Sequence, residues 1–338
     1  MSYIEDVRLA GTASLPWEQL EGKNILVVGA TGLIGGCLID LLMSRPNAHY
    51  DVFAAGRNES RAAKRFAQYT DDKRFHFIRL DVTQPLTIDE KFQYIIDAAS
   101  GASPSAYATD PIGVMRGNIY GVDNLLSYGE QHGMERFVYV SSGEVYGEGD
   151  GRKFTEDYSG YINITSERAC YPSSKRAAET LCVCHSVQNG ADISIARPCH
   201  VYGPHFSETD NRVYAQFIRN VLKGEDIVMK SAGRQYRSWC YVVGCAKALL
   251  YVLLKGKNRE AYNIADEKSN ITIRQLAEMI AGIAGHKVVM QTADEAERKG
   301  YSVISKAIFD TVKIKNLGWQ INGTMEQKMR STILETSV

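Results

Sequence analysis

Tyr171 and Lys175 stand four residues apart in Tyr171 to Val187, a stretch whose apolar pattern predicts a helix. Residues at that spacing share a helix face, so a phenol and an ammonium would lie side by side. A neighbouring ammonium favours phenolate, which would make Tyr171 a usable base near neutral pH. Ser142, at the end of a predicted strand, offers a hydroxyl to share a proton with that phenol and a substrate. Glu144, two residues on, adds a carboxylate on the same strand-end turn. A Tyr-x-x-x-Lys spacing alone is common by chance. Its weight comes from a second feature, a glycine turn near the start of the chain.

That turn is VVGATGLIG, with Gly29, Gly32 and Gly35 between an apolar strand and a helical pattern. The first glycine allows the tight turn, the second lets the backbone approach a pyrophosphate, and the third lets helix and strand pack closely. Thr31, Leu33 and Ile34 complete the loop and open a helix whose N–H groups face the phosphates. A dinucleotide site of this kind expects a carboxylate at the end of the second strand for the ribose diol. The chain instead reads Ala54-Ala55-Gly56-Arg57-Asn58. Arg57 could pair with a 2′-phosphate, which leans towards NADP+ over NAD+. Its alternative role is stacking on adenine or simple solvation. Asp81-Val82, after the third strand, is a candidate for the adenine edge, and Asp81 is equally a plain turn residue.

The elements that position these residues alternate. Strands are predicted at 24–28, 51–55, 75–80, 94–99, 136–142 and 192–198, with helices at 33–43, 111–132 and 171–187. The implied fold class is α/β, a Rossmann-type doubly wound parallel sheet with its crevice at the carboxyl ends of the strands. After residue 200 the alternation breaks down. Helices at 216–222, 245–254 and 273–284 and short strands at 225–229 and 261–265 suggest a smaller mixed substrate domain. The expected organisation is an extension at 1–22 with no legible role, a dinucleotide-binding domain at 23–200 and a substrate domain at 201–338, with segments crossing between the last two.

Among 338 residues, Lys plus Arg number 39 and Asp plus Glu 39. Zero net charge leaves no long-range field to hold a polyanion, so nucleic acid is not an expected partner. No apolar run approaches a membrane span, and the acidic N-terminus is unlike a signal peptide. The 7 cysteines form no metal-ligand array and read as reduced thiols. A cytoplasmic protein without a metal is expected.

With these motifs in view, the chain resembles the extended short-chain dehydrogenase/reductases that modify nucleotide sugars. The resemblance rests on GATGLIG, YPSSK, RPCHVYGP (197–204), GRQYRSWCYV (233–242), YNIADEKSNITIRQLAEMI (262–280) and LGW (317–319). The middle of the chain is most similar to UDP-glucuronate decarboxylases, in ASGASPSAYATDPI (99–112), SSGEVYG (141–147), TEDYSGYIN (155–163) and ERACYPSSKRAAETL (167–181). The resemblance implies that Tyr171, Lys175 and Ser142 are catalytic and that Glu144 works on the sugar. It places Ala98, Ala99, Ser100, Asn118, Ser141 and Pro198 around the nicotinamide cofactor, for which the family leans to NAD+. It places Ser103, Gly143, His200, Arg212, Gln235 and Arg237 around a nucleotide-diphosphate sugar. It also implies a homodimer paired through helices near 111–132 and 171–187.

The shared chemistry of such enzymes is transient oxidation of a sugar hydroxyl, from which decarboxylation, epimerisation and dehydration all start. Relatives that dehydrate read Ser-Thr-Asp-Glu where this chain has Gly143 in the Asp position, so elimination lacks its expected acid. Decarboxylation ranks first, epimerisation second and dehydration third. An NADPH-dependent keto-sugar reductase stays open, and a non-catalytic NADP sensor is disfavoured by the retained Tyr171 and Lys175. Three departures stand out: Pro172-Ser173-Ser174 where decarboxylases carry Asp-Glu-Gly, the missing second-strand Asp, and Val243-Gly244-Cys245 in place of a common aspartate.

Overall fold

The computed structural model describes residues 1–291 and 305–336. A first helix, α1 (Tyr3–Gly11), precedes β1 (Asn24–Val28), which is buried at every position after its first. Strands apolar on both sides need cover on both faces, and the alternation supplies it. The order is α2 (Leu33–Met43), β2 (Asp51–Gly56), α3 (Glu59–Arg65), β3 (Phe75–Arg79), β4 (Tyr94–Asp97), α4 (Pro104–Thr109), α5 (Pro111–Gln131), β5 (Arg136–Val140), α6 (Cys170–Asn189) and β6 (Ile193–Pro198). Ile25 and Val27 face the core shared with α2, while Leu26 and Val28 face the core under α5 and α6.

The main sheet has 7 parallel strands in the order β10-β6-β5-β4-β1-β2-β3, where β10 is Glu260–Ile264. The order reverses between β1 and β4, which puts a binding crevice at their carboxyl ends. The fourth and fifth strands stop at Asp97 and Val140, short of the predicted 99 and 142. Their last predicted residues instead turn into the crevice, and Ser142 caps a 3₁₀ turn, Gly143–Tyr146.

The remaining chain builds the wall opposite. Here β7 (His200–Tyr202), α7 (Val213–Leu222), β8 (Ile227–Met229), β9 (Tyr236–Tyr241), α8 (Val242–Lys255), β11 (Asp266–Thr272), α9 (Ile273–Ala284), β12 (Val288–Met290) and β13 (Lys306–Ala307) follow. Strands β7, β11 and β13 gather around β9, while β8 pairs with β12. Helix α8 packs on α2 and, with β10, returns to the main sheet, so residues 242–264 belong with the dinucleotide-binding half.

Residues 1–22, unreadable in sequence, have a structural role. Ser2 and Glu5 form a capping box on α1, and Tyr3, Val7 and Ala10 bury one face of it against α2 and α8. The Tyr3 hydroxyl donates to Asp40 Oδ2 at 2.5 Å. Arg65 and Tyr69 also donate to Asp40, and a 2.6 Å pair joins Asp6 to Lys328 of the C-terminal helix Met325–Thr336. No helix among the described residues is long and apolar enough to cross a membrane.

Candidate active site

The glycine turn fits a dinucleotide's pyrophosphate. Gly29 has φ +75°, and a Cβ there would lie 2.6 Å from the Ala98 carbonyl. A Cβ on Gly35 would lie 2.5 Å from the Gly29 carbonyl oxygen. Gly32 caps α2 without a side chain, leaving the first-turn N–H groups of the helix open to an anion. Across the turn, the Ser100 hydroxyl donates to Asn118 Oδ1 at 2.8 Å. Asn118 Nδ2 donates to the Ser174 hydroxyl at 2.9 Å, tying this wall to the helix that carries Tyr171 and Lys175. Ser174, noted in the sequence only as part of a departure from the decarboxylases, is thus a brace for the helix of Tyr171 and Lys175.

A cleft of about 1310 Å³ lies mainly between α1, the C-terminal half of α2, α3 and residues 205–209, and its rim reaches the end of β2 at Thr31, Asn58, Ser60 and Arg61. Asn58 caps α3, accepting from the Arg61 N–H at 2.8 Å. Arg57 is exposed and lies on the Asp81 side, where its charge helps hold the Asp81 carboxyl below the usual range. The larger cause there is a hydrogen bond from Thr83, whose N–H and hydroxyl both donate to Asp81, the arrangement of a turn residue. Val82 packs beside Gly121 of α5.

At the catalytic end, Tyr171 is 5% exposed in the first turn of α6, and its ring centroid lies 4.9 Å from that of Tyr107. Lys175 Nζ donates to the Val140 carbonyl at 2.8 Å and lies 5.9 Å from the Tyr171 ring centroid. The expected low phenol pKa is not found. Burial, and then the Glu144 charge, push Tyr171 up to about 12, against a hydrogen bond from Ser142 and the charges of Arg212 and Arg168. Burial also pulls Lys175 down to about 8. Burial thus opposes the charged form of both groups.

Ser142 Oγ accepts from the Glu144 N–H at 3.2 Å, which fixes Glu144 at the crevice edge. The Glu144 carboxylate is clasped by the Arg168 guanidinium at 2.7 and 2.8 Å, and that guanidinium lies 4.4 Å over the Tyr107 ring. Sequence reasoning singled out neither Arg168 nor Tyr107, although both lie in the stretches that carried the resemblance. Gly143 has no room for a side chain: its Cβ would sit 2.0 Å from Phe309 Cζ.

The opposite wall brings His200, Arg212 and Arg237 to the same place. Arg212 caps α7 and pairs with Asp210 at 2.5 Å, and its charge still reaches Tyr171 and Tyr107. Arg237 is 5% exposed; burial pulls it down to about 10, and the Glu144 charge opposes that. His200 is exposed on this wall, and the Arg237 and Arg212 charges beside it disfavour its protonation. Gln235, two residues before Arg237, is half-buried, and its carbonyl accepts from the Ile273 N–H at 3.1 Å. Ser103 caps α4. Pro198 ends β6, and the Ser141 N–H donates to the Ala196 carbonyl at 2.7 Å.

The NAD dependent epimerase/dehydratase family matches residues 25–265. Over 301 residues the chain is 33% identical to UDP-glucuronic acid decarboxylase 6 of Arabidopsis thaliana, spanning 88% of this chain and 84% of that one. It is 30% identical to UDP-glucuronic acid decarboxylase 1 of Xenopus tropicalis, over 92% of this chain and 71% of the other. Among solved structures, the dTDP-glucose 4,6-dehydratase of Streptomyces venezuelae with NAD bound superposes with TM-score 0.80 at 22% identity, over 92% and 96% of the two chains. With the family match over residues 25–265 and a relative 33% identical over 88% of its own length, the chain belongs to the NAD-dependent epimerase/dehydratase family.

Proposed function

We propose that this enzyme transiently oxidises a hydroxyl of a nucleotide-diphosphate sugar and releases CO₂ from a uronate, as the named function of its 33% identical relative suggests. The observation that carries the reading is electrostatic. Arg168, Arg212 and Arg237 bring guanidinium charge to bear on Tyr171, Glu144 and His200. Such a surround suits a sugar that is itself a carboxylate. Phe309 supports the same reading, because it fills the space that an eliminating acid at Gly143 would need.

When bound, a nicotinamide supplies a hydride acceptor that becomes the donor for the return step. Tyr171 takes the proton of the sugar C4 hydroxyl, and Ser142 shares it. The resulting C4 ketone makes the C6 carboxylate a β-keto acid, whose C5–C6 bond breaks to release CO₂. Glu144, fixed by Arg168, orients the ring or moves the proton that C5 then takes up. Incubation with UDP-, dTDP-, GDP- and CDP-sugars, uronates included, followed by mass spectrometry tests this. Loss of CO₂ from a uronate is expected; loss of water, or an isomer of unchanged mass, would overturn it.

For the cofactor we infer a nicotinamide dinucleotide, NAD+ or NADP+. The family and a neighbour solved with NAD favour NAD+, while the absent second-strand carboxylate, with Arg57 and Arg61 beyond that strand, leans to NADP+. A homodimer is our reading for the assembly. Leu125 and Tyr128 are spent on the chain's own core, while Ile112, Met115 and Tyr120 of α5 and Val187 of α6 are exposed. Light scattering at micromolar concentration should give twice the chain mass, and a monomer would refute it.

A further inference from the structure

Lys175 has a charged neighbour that the reaction above does not use. Strand alternation puts Asp97 on the same sheet face as Ile95, under α5 and α6. Tyr139, its register partner on β5, points to that face too. Lys175 reaches down from α6 onto this spot, its Nζ 4.5 Å from the Tyr139 ring centroid. Asp97 and Lys175 are each 1% exposed. Asp97 Oδ1 accepts from the Ala99 N–H at 3.0 Å, and the Tyr139 hydroxyl is buried with no partner.

The other titratable groups facing Lys175 are Glu179 and Cys182 of α6, besides the two tyrosines. Glu179 is already held by Arg197 at 2.6 and 2.9 Å. Burial pushes the Cys182 thiol up, so it stays neutral. Among the described residues Asp97 has no guanidinium of its own. We propose that Asp97 is a positioning residue for the reaction, its carboxylate holding the Lys175 ammonium charged beneath Tyr171. The proposal rests on the catalytic reading of that pair.

The charges sustain one another against a buried setting that disfavours both. Burial pushes Asp97 up to about 6, and Lys175 opposes it. Burial pulls Lys175 down to about 8, and Asp97 is the largest opposing influence. Both are ionised only between those two values. Below the lower one Asp97 takes a proton; above the upper one Lys175 loses its own.

Asp97→Asn keeps the shape and the oxygen for Ala99 while removing the charge, and Asp97→Glu keeps the charge while altering the shape. The alkaline limb of kcat/KM should move down by about one pH unit in Asp97→Asn and return in Asp97→Glu. A purely structural role would favour the isosteric Asn and leave the limb in place. A second arm needs no substrate. Lys175 has a lower pKa folded than unfolded, so between the two values the unfolded chain binds more protons and stability rises with pH. Buried cysteines with raised pKa values pull the other way over the same range, so the Lys175 contribution is read as the difference in melting temperature between a chain with Lys175 and its Lys175→Met counterpart. That difference should start to change near pH 8 in the wild type and about one unit lower in the Asp97→Asn background. An unmoved onset in Asp97→Asn overturns the proposal. A moved onset with no sugar turned over upholds Asp97 and overturns the functional reading instead.

Discussion

At the phosphate end the crevice presents backbone; at the sugar end it presents long side chains. Gly29 and Gly35 leave no room even for a methyl group, and the helix dipole of α2 does the rest. The sugar end draws Arg168, Arg212 and Arg237 from three separate stretches, with Arg168 and Arg237 set against Glu144 and Arg212 against Asp210. The first arrangement recognises what every dinucleotide has in common. The second can be altered residue by residue, so the reaction's identity lies there.

The sharpest way to break this comparison is Tyr171→Phe. It removes one hydroxyl from a buried ring and leaves the turn untouched. Turnover should fall by at least ~10²–10⁴-fold, the contribution of a positioned acid or base. Dinucleotide affinity by calorimetry should stay within a factor of ~3, since the ring remains packed on Tyr107. Activity close to wild type would remove Tyr171 from the chemistry.

Glu144→Gln tests the sugar end more gently. The amide keeps the cap from Ser142 but gives Arg168 a neutral partner. If the carboxylate acts on the C4-oxidised sugar, kcat should drop by roughly 10²-fold with KM little changed. An equal rise in KM with kcat intact would make Glu144 a binding group.

Both ends were legible in the sequence wherever a short spacing carries the geometry. Three glycines in seven residues, or Tyr171 and Lys175 one helical turn apart, need no tertiary contact to be recognised. What stayed hidden depends on chain-distant neighbours. Gly143 reads as a missing acid, yet only Phe309, from beyond the 292–304 stretch, shows that no side chain fits. Asp97 reads only as a position within the predicted 94–99 strand, and its relation to Lys175 appears only once β4 and α6 share a face. The acidity of the phenol stays hidden for a related reason: spacing gives adjacency, while burial acts on the pKa from residues distant in the chain. Helix α1 was missed because its buried face is only Tyr3, Val7 and Ala10, too short for a periodic signal.

At the adenosine end the comparison sharpens into a choice between two arginines. If Arg61, on the cleft wall, meets a 2′-phosphate, Arg61→Ala should weaken NADP+ binding about ten- to a hundredfold and barely alter NAD+. Arg57→Ala, on the Asp81 side, should then affect both cofactors alike. Selective loss in Arg57→Ala alone would reverse the assignment, and equal losses in both variants would point to NAD+.

The smallest effect concerns α1, which belongs to neither end. Tyr3 is one of three side chains that donate to the buried Asp40 carboxylate, and Asp40 sits on the helix that begins at the phosphate turn. Tyr3→Phe preserves the packing against α2 but deletes that donor. A hydrogen bond to a charged group is worth about 1.5–3 kcal/mol, and Arg65 and Tyr69 remain to share the carboxylate, so the lower figure applies. For a chain this long, that loss lowers Tm by roughly 2–4 °C. Because the opposite end of α2 faces the pyrophosphate through backbone groups, dinucleotide affinity and kcat/KM should not move. A fall in cofactor affinity at unchanged Tm would mean that α1 tunes the phosphate turn rather than merely bracing the sheet beneath it.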